Sequence, residues 1–173
     1  MENEQLPSTR KIGVKFGLIQ GLISIAFFLM LDMTNQATGQ GGQWGGLIIL
    51  IAIIFFAQNE YKKQGDGFMN FGSGVTIGTY VTAVASVLSS IFTYLYISFV
   101  STDFIEKIRE TQIMQLEEQG LEDDEIERAM VLADSFTTPE ALLFLSIFFG
   151  ILFGVILSLI LTAFTKRTRP ENI

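Results

Sequence analysis

Glu117, Glu118 and the run Glu122, Asp123, Asp124 and Glu125 form the densest set of groups in the chain that can do chemistry. Carboxylates this close attract divalent cations. Paired carboxylates also do acid–base work when a cleft raises the pKa of one of them. The run lacks the D-x-D-x-D-G spacing of a calcium loop, and nothing near it in sequence promises a cleft. It reads as the solvated start of a helix, where acids complement the positive end of the dipole. The other polar residue in an unusual place is Gln20, alone in a long apolar run. A lone Gln at membrane depth is expected to make an interhelical hydrogen bond. Asp32, Glu60 and Lys15 are expected at span ends rather than at membrane depth, where ion pathways keep their charges.

The 173 residues contain no Cys and no His. Within them this excludes disulfides, thiol catalysis and thiolate metal sites. It also removes the usual axial haem ligand and the usual general base near neutral pH. No catalytic, cofactor or metal residues are therefore assigned, and no cofactor is expected. The net charge of −7 is local. Residues 101–140 hold twelve acids and three bases, so that segment carries −9 and the remainder +2. With the acidity confined to one segment, nucleic acid is not an expected partner.

Around this segment the apolar residues are segregated rather than interleaved. Charge-free runs separate Lys15 from Asp32, Asp32 from Glu60, Asp66 from Asp103, and Glu140 from Lys166. A helical span needs about 20 apolar residues. The expected class is an all-α polytopic membrane protein: a bundle of four transmembrane helices, with an acidic helical hairpin between spans 3 and 4. The spans are placed at about 12–31, 44–62, 75–100 and 140–165 in a single membrane domain over 1–173, with the hairpin as an insertion at 101–138. A basic start before an apolar run also describes a signal peptide, but residues 32–37 offer no small-x-small cleavage site, so the first span is expected to be retained. The apolar part of the second, Leu47 to Ala57, is short, which leaves a re-entrant segment as the competing form. Trp44 is expected at one interface, and Tyr61, Lys62 and Lys63 at the other.

Gly39, Gly41 and Gly42 mark a turn over 32–43, and the glycines of 65–74 a second turn requiring positive φ or close backbone approach. In the acidic segment Phe104, Ile105, Ile108, Gln112 and Leu116 have helical spacing, and Gly120 is a C′ stop. Leu121 and Ile126 can staple the start of a second helix, whose apolar face is Ile126, Met130 and Ala133. Thr138 and Pro139 are an N-cap and N1 pair opening the fourth span. Eight bases fall on one side of the four spans: Arg10, Lys11, Lys15, Lys62, Lys63, Lys166, Arg167 and Arg169. Three fall on the other. Both termini are then expected in the cytoplasm and the hairpin outside it.

Small residues recur every four positions along three spans. They are Gly13, Gly17 and Gly21; then Gly74, Gly78, Thr82, Ser86 and Ser90; then Ser146, Gly150, Gly154, Ser158 and Thr162. Residues four apart share one helix face. Small side chains there let backbones approach, which drives association in lipid. The stripes are expected to pack the bundle internally; the alternative is a docking groove for another subunit or a lipid.

The chain resembles the domain-of-unknown-function family 4199. The resemblance rests on Gly17-Leu-Ile-Gln-Gly21, on the loop Gly67-Phe-Met-Asn-Phe-Gly72-Ser-Gly, and on Tyr94-x-Tyr96 followed by Asp103-Phe104. It continues through Gly120-Leu-Glu-Asp-Asp-Glu-Ile-Glu-Arg-Ala-Met130 and the Ser-rich fourth span ending in bases. The resemblance implies four spans in a bacterial inner membrane, in the Bacteroidota, with no assigned activity and no catalytic residues to carry over. Where the family would usually place a Ser-like cap, this chain has Glu122.

The functional expectation is a non-enzymatic small subunit or scaffold, partnered by the bilayer and by another inner-membrane protein. The hairpin either docks a periplasmic partner or folds onto the membrane end of the bundle, the second being preferred. Two other classes stay open. A transporter or channel would need a polar cavity near Gln20, Thr82, Ser86 and Ser158. A lipid-modifying enzyme would need a cleft joining Glu60 or Asp66 to the glycine loop.

Overall fold

The computed structural model describes residues 7–34, 36–37 and 40–168, and these are all-helical. Gly39 and Arg169 lie outside the described residues. The helices are α1 (Thr9–Met33), α2 (Gln40–Gln64), α3 (Phe71–Phe99), α4 (Phe104–Glu118), α5 (Asp123–Asp134) and α6 (Pro139–Thr165). Four of them, α1, α2, α3 and α6, are long and apolar enough to cross a membrane.

The ends follow local chemistry. The Ser8 hydroxyl accepts from the Lys11 N–H and starts α1. The Thr138 hydroxyl accepts from the Ala141 N–H, with Pro139 as the first residue of α6. Gly120, at φ +80°, follows α4 as its left-handed stop. The Glu125 carboxylate accepts the Glu122 N–H at 3.2 Å and closes the start of α5.

Two turns are shorter than the residue types imply. α2 is continuous over 25 residues and begins inside the Gly- and Gln-rich stretch, before Trp44. Packing overrides propensity here. Gly42 lies against Leu31, and Gly45 leaves room for the Phe27 ring of α1. The second turn ends at Asn70, whose side chain accepts from the Ser73 N–H at 2.7 Å and caps α3. Gly72 and Gly74 are therefore helical, and within 65–74 only Gly67 needs a positive φ, +83°.

α3 is the central helix, with α1 on one face and α6 on the opposite face. The core lies toward one end of the bundle, where Ile12, Ile54, Ala57, Tyr61, Met69 and Ile77 are buried together. A backbone pair between Met69 and Arg167 ties the 65–70 loop to the end of α6. Among the residues of α2 whose burial is described, the buried ones fall in its second half, at Ile53, Ile54, Ala57, Gln58 and Tyr61. Its first half is looser, and a Cβ on Gly46 would meet nothing within 4 Å.

Candidate functional site: helix seams and polar clusters

The small-residue stripes of α3 and α6 meet in one antiparallel register. Ser90 faces Ser146, Ser86 faces Gly150, Thr82 faces Gly154, Gly78 faces Ser158, and Gly74 faces Thr162. Each step of four along α3 is matched by four back along α6. At four of the five rungs a glycine on one helix receives a hydroxyl side chain from the other. At the fifth, the Ser90 and Ser146 hydroxyls lie 2.8 Å apart. A one-turn slip in either direction would keep three glycine–hydroxyl rungs at most, so the pattern favours this register.

The other face of α3 is built differently. Gly13, Gly17 and Gly21 of α1 lie under Tyr80, Val84 and Leu88, again four apart, with the helices parallel. A Cβ on Gly13 or Gly17 would stand 3.0 Å from the carbonyl oxygen of Ile77 or Val81. The backbones themselves are therefore close, as Cα–H···O contacts between helices require. All three stripes are occupied inside the chain.

Gln58 is the glutamine that bonds between helices. It is fully buried. Its amide donates to the Gly74 carbonyl at 3.2 Å and to the Thr162 hydroxyl at 2.8 Å, and its carbonyl accepts from the Thr165 hydroxyl. Ser158 donates toward the Gly74 and Val75 carbonyls. The sequence points to Gln20 for this role, but Gln20 donates to Ser24 on its own helix, at 3.1 Å. The signal for Gln58 was its place on the apolar face with Ile54, Ala57 and Tyr61.

A family model described as a protein of unknown function (DUF4199) matches residues 15–167. The chain belongs to DUF4199. Neither a comparison with curated proteins nor one with solved structures returned a match. The matched range of this DUF4199 chain takes in the whole α3–α6 ladder and the Gln58 cluster, while Gly13 lies just ahead of it.

At the other end of the DUF4199 fold a second polar cluster seats the hairpin. The Tyr96 hydroxyl donates to Asp32 at 2.7 Å, and Lys107 of α4 reaches Asp32 at 4.0 Å and Asp103 at 2.9 Å. Phe104 is buried, its ring edge-on to Phe28 with centroids 5.5 Å apart. Arg109 then bridges α4 to Asp134 of α5 at 3.5 Å. The hairpin thus folds onto the end of the bundle. Lys107, hydrogen-bonded to Asp103, holds that carboxyl below its usual 3.8, and the same contact raises Lys107 above 10.5. The carboxylate's contribution is lost only as pH falls through the lowered value, and the lysine's only as pH rises through the raised one. The Lys107–Asp103 pair is therefore insensitive to pH near neutrality. Asp32→Ala removes the shared acceptor. It is expected to cost about 1–2 kcal/mol of hairpin docking, read as faster limited proteolysis at 119–122.

Asp32, Lys15 and Glu60 each lie within about two turns of a helix end. Asp32 is in the last turn of α1, and Lys15 and Glu60 pair at 4.0 Å between α1 and α2. Near the glycine loop a cleft of about 280 Å³ is lined by Asp66, Asn70 and Arg167. Glu60 is not part of it and holds Gln64 instead. Among the described residues, no group of three or more His, Cys, Asp or Glu side chains could hold a metal ion.

Proposed function

We propose that this protein is an integral bacterial inner-membrane protein and a small non-enzymatic subunit or scaffold. Its hairpin rests against another membrane protein. One observation carries this reading. Val131, Leu132 and Phe136 stand exposed at the end of α5 by 69%, 66% and 54%. Lipid accounts for exposed apolar side chains along α1, α2, α3 and α6. It does not account for three on a hairpin as acidic as this one, and such patches mark interaction sites. Phe144, Phe148 and Phe153, exposed along α6, add aromatic surface of the kind interfaces favour.

The geometry also supports an orientation. The α1 start, α2 end, α3 start and α6 end share one end of the bundle, through the Lys15–Glu60, Gln58–Thr162 and Met69–Arg167 contacts. The basic segments lie at that end, so it faces the cytoplasm and the hairpin faces the periplasm. A tag after Ile173 should be inaccessible from outside intact cells; external accessibility would overturn the orientation.

The subunit role is tested by mild-detergent purification of the full chain and of the double variant Val131→Glu, Leu132→Glu. Wild type should elute with a stoichiometric partner. The variant should lose it by more than tenfold with its melting temperature unchanged. A clean wild-type monomer, or a variant that keeps its partner, would refute the role.

A further inference from the structure

Two adjoining cavities lie where the first half of α2 stands off the bundle. One, of about 170 Å³, is walled by Ser24, Thr82, Ser86 and Ser89. The other, of about 290 Å³, is walled by Phe27, Phe28, Leu31 and Ile49 and extends to Ala37 and Gly42 at the α1–α2 turn. Gln20, Ser24 and Gly46 line both and so form their waist. Gln20 is eleven residues into the 25 of α1, near mid-span. Its side chain is 4% exposed, and its Oε1 has no hydrogen-bond partner. With the amide nitrogen donating to Ser24, the free end of the group is the acceptor Oε1.

A buried, unpaired amide acceptor is costly in an apolar setting. The site therefore favours a ligand that brings a donor. No Asp, Glu, Lys or Arg lines either cavity, so a charged ligand would lose its hydration with nothing to replace it. The small lobe offers hydroxyl oxygens, since Thr82 and Ser89 spend their protons on their own helix carbonyls and keep lone pairs. The large lobe is aromatic and aliphatic, and it approaches the lower size limit of small-molecule sites, about 300 Å³.

We infer that this wedge binds a neutral amphipath with a hydroxyl group. The hydroxyl donates to Gln20 Oε1 at the waist, and the apolar body lies along Phe27, Phe28 and Leu31. The site is separate from the hairpin surface and does not depend on the subunit reading.

The probes are 1-decanol and its methyl ether, titrated into the purified full chain in detergent and followed by thermal shift and by Trp44 fluorescence. Trp44 is the only tryptophan in the chain, two residues from Gly46. The alcohol should bind saturably, and the ether, lacking the donor, at least about tenfold more weakly. Gly46→Leu should weaken the alcohol by a similar factor without lowering the melting temperature of the free protein, since its Cβ enters open space. Gln20→Leu should abolish the preference for alcohol over ether and leave the free protein as stable or more so. Equal binding of alcohol and ether to wild type would overturn the inference, as would non-saturable binding or a Gly46→Leu variant that binds as wild type. The alcohol–ether comparison needs no variant to fold.

Discussion

Gly154→Leu is expected to abolish the folded bundle, while Leu157→Ala, three positions along the same helix, leaves it folded. A Cβ at 154 would fall inside the Thr82 side chain, and a leucine adds three more carbons beyond it. Overpacking a tight interior costs about 1–3 kcal/mol or more, and in lipid no hydrophobic gain offsets it. Leu157 packs at the edge of the core and is only partly buried. Its truncation is expected to cost about 1–2 kcal/mol, below the range for fully buried leucines. Thermal unfolding in detergent, followed by circular dichroism, measures both. Equal melting temperatures would defeat the ladder account. The three nearest obstacles at 154 are side-chain atoms of Thr82. The reciprocal pair Gly154→Thr with Thr82→Gly should therefore recover most of the stability that Gly154→Thr alone loses. A double-mutant cycle with no coupling would contradict that.

Gly17→Leu is expected to be as damaging and, unlike Gly154→Thr, beyond repair by any change in the opposing side chain. The added Cβ would meet Val84 at 2.7 Å and the Val81 carbonyl oxygen at 3.0 Å. Val84→Ala removes only the Val84 Cγ1 at 3.1 Å; its Cβ and the Val81 carbonyl oxygen both remain, and the second is backbone. The double variant should stay more than about 2 kcal/mol below wild type. Its recovery to wild-type stability would show that α1 and α3 can separate cheaply. The two faces of α3 thus differ in kind: one interlocks side chains, the other presses backbone on backbone.

Much of this architecture is legible in the residue pattern. Charge-free length locates the four long helices, Thr138-Pro139 marks the start of α6, and Gly120 marks the stop of α4. Four-residue spacing names every position of the α3–α6 ladder. Spacing cannot say which hydroxyl enters which glycine, since that depends on register, and register is a property of two helices together. The same limit misplaces the interhelical glutamine. Gln20 stands out because its neighbours are apolar, whereas Gln58 sits near polar residues and looks like a helix end. Its helical spacing from Ile54, Ala57 and Tyr61 is the one sequence signal, and packing turns that face inward. The Asp32–Tyr96–Lys107 cluster escapes notice for a related reason. Its members are far apart in sequence, and each alone resembles an interfacial residue. The early start of α2 depends on Phe27 entering the space over Gly45, a contact with no local trace.

The separation of the ladder's two sides along the chain has a consequence for biosynthesis. About forty residues, the whole hairpin among them, lie between the end of α3 and the start of α6. While a ribosome makes the chain, α1 and α3 are complete well before α6 exists. The nascent protein must therefore pass through a stage in which the glycine-and-hydroxyl flank of α3 faces lipid or the insertion machinery. A chaperone or insertase that shields this flank, or a premature stop within the hairpin that never releases it, would decide whether the molecule matures or is degraded.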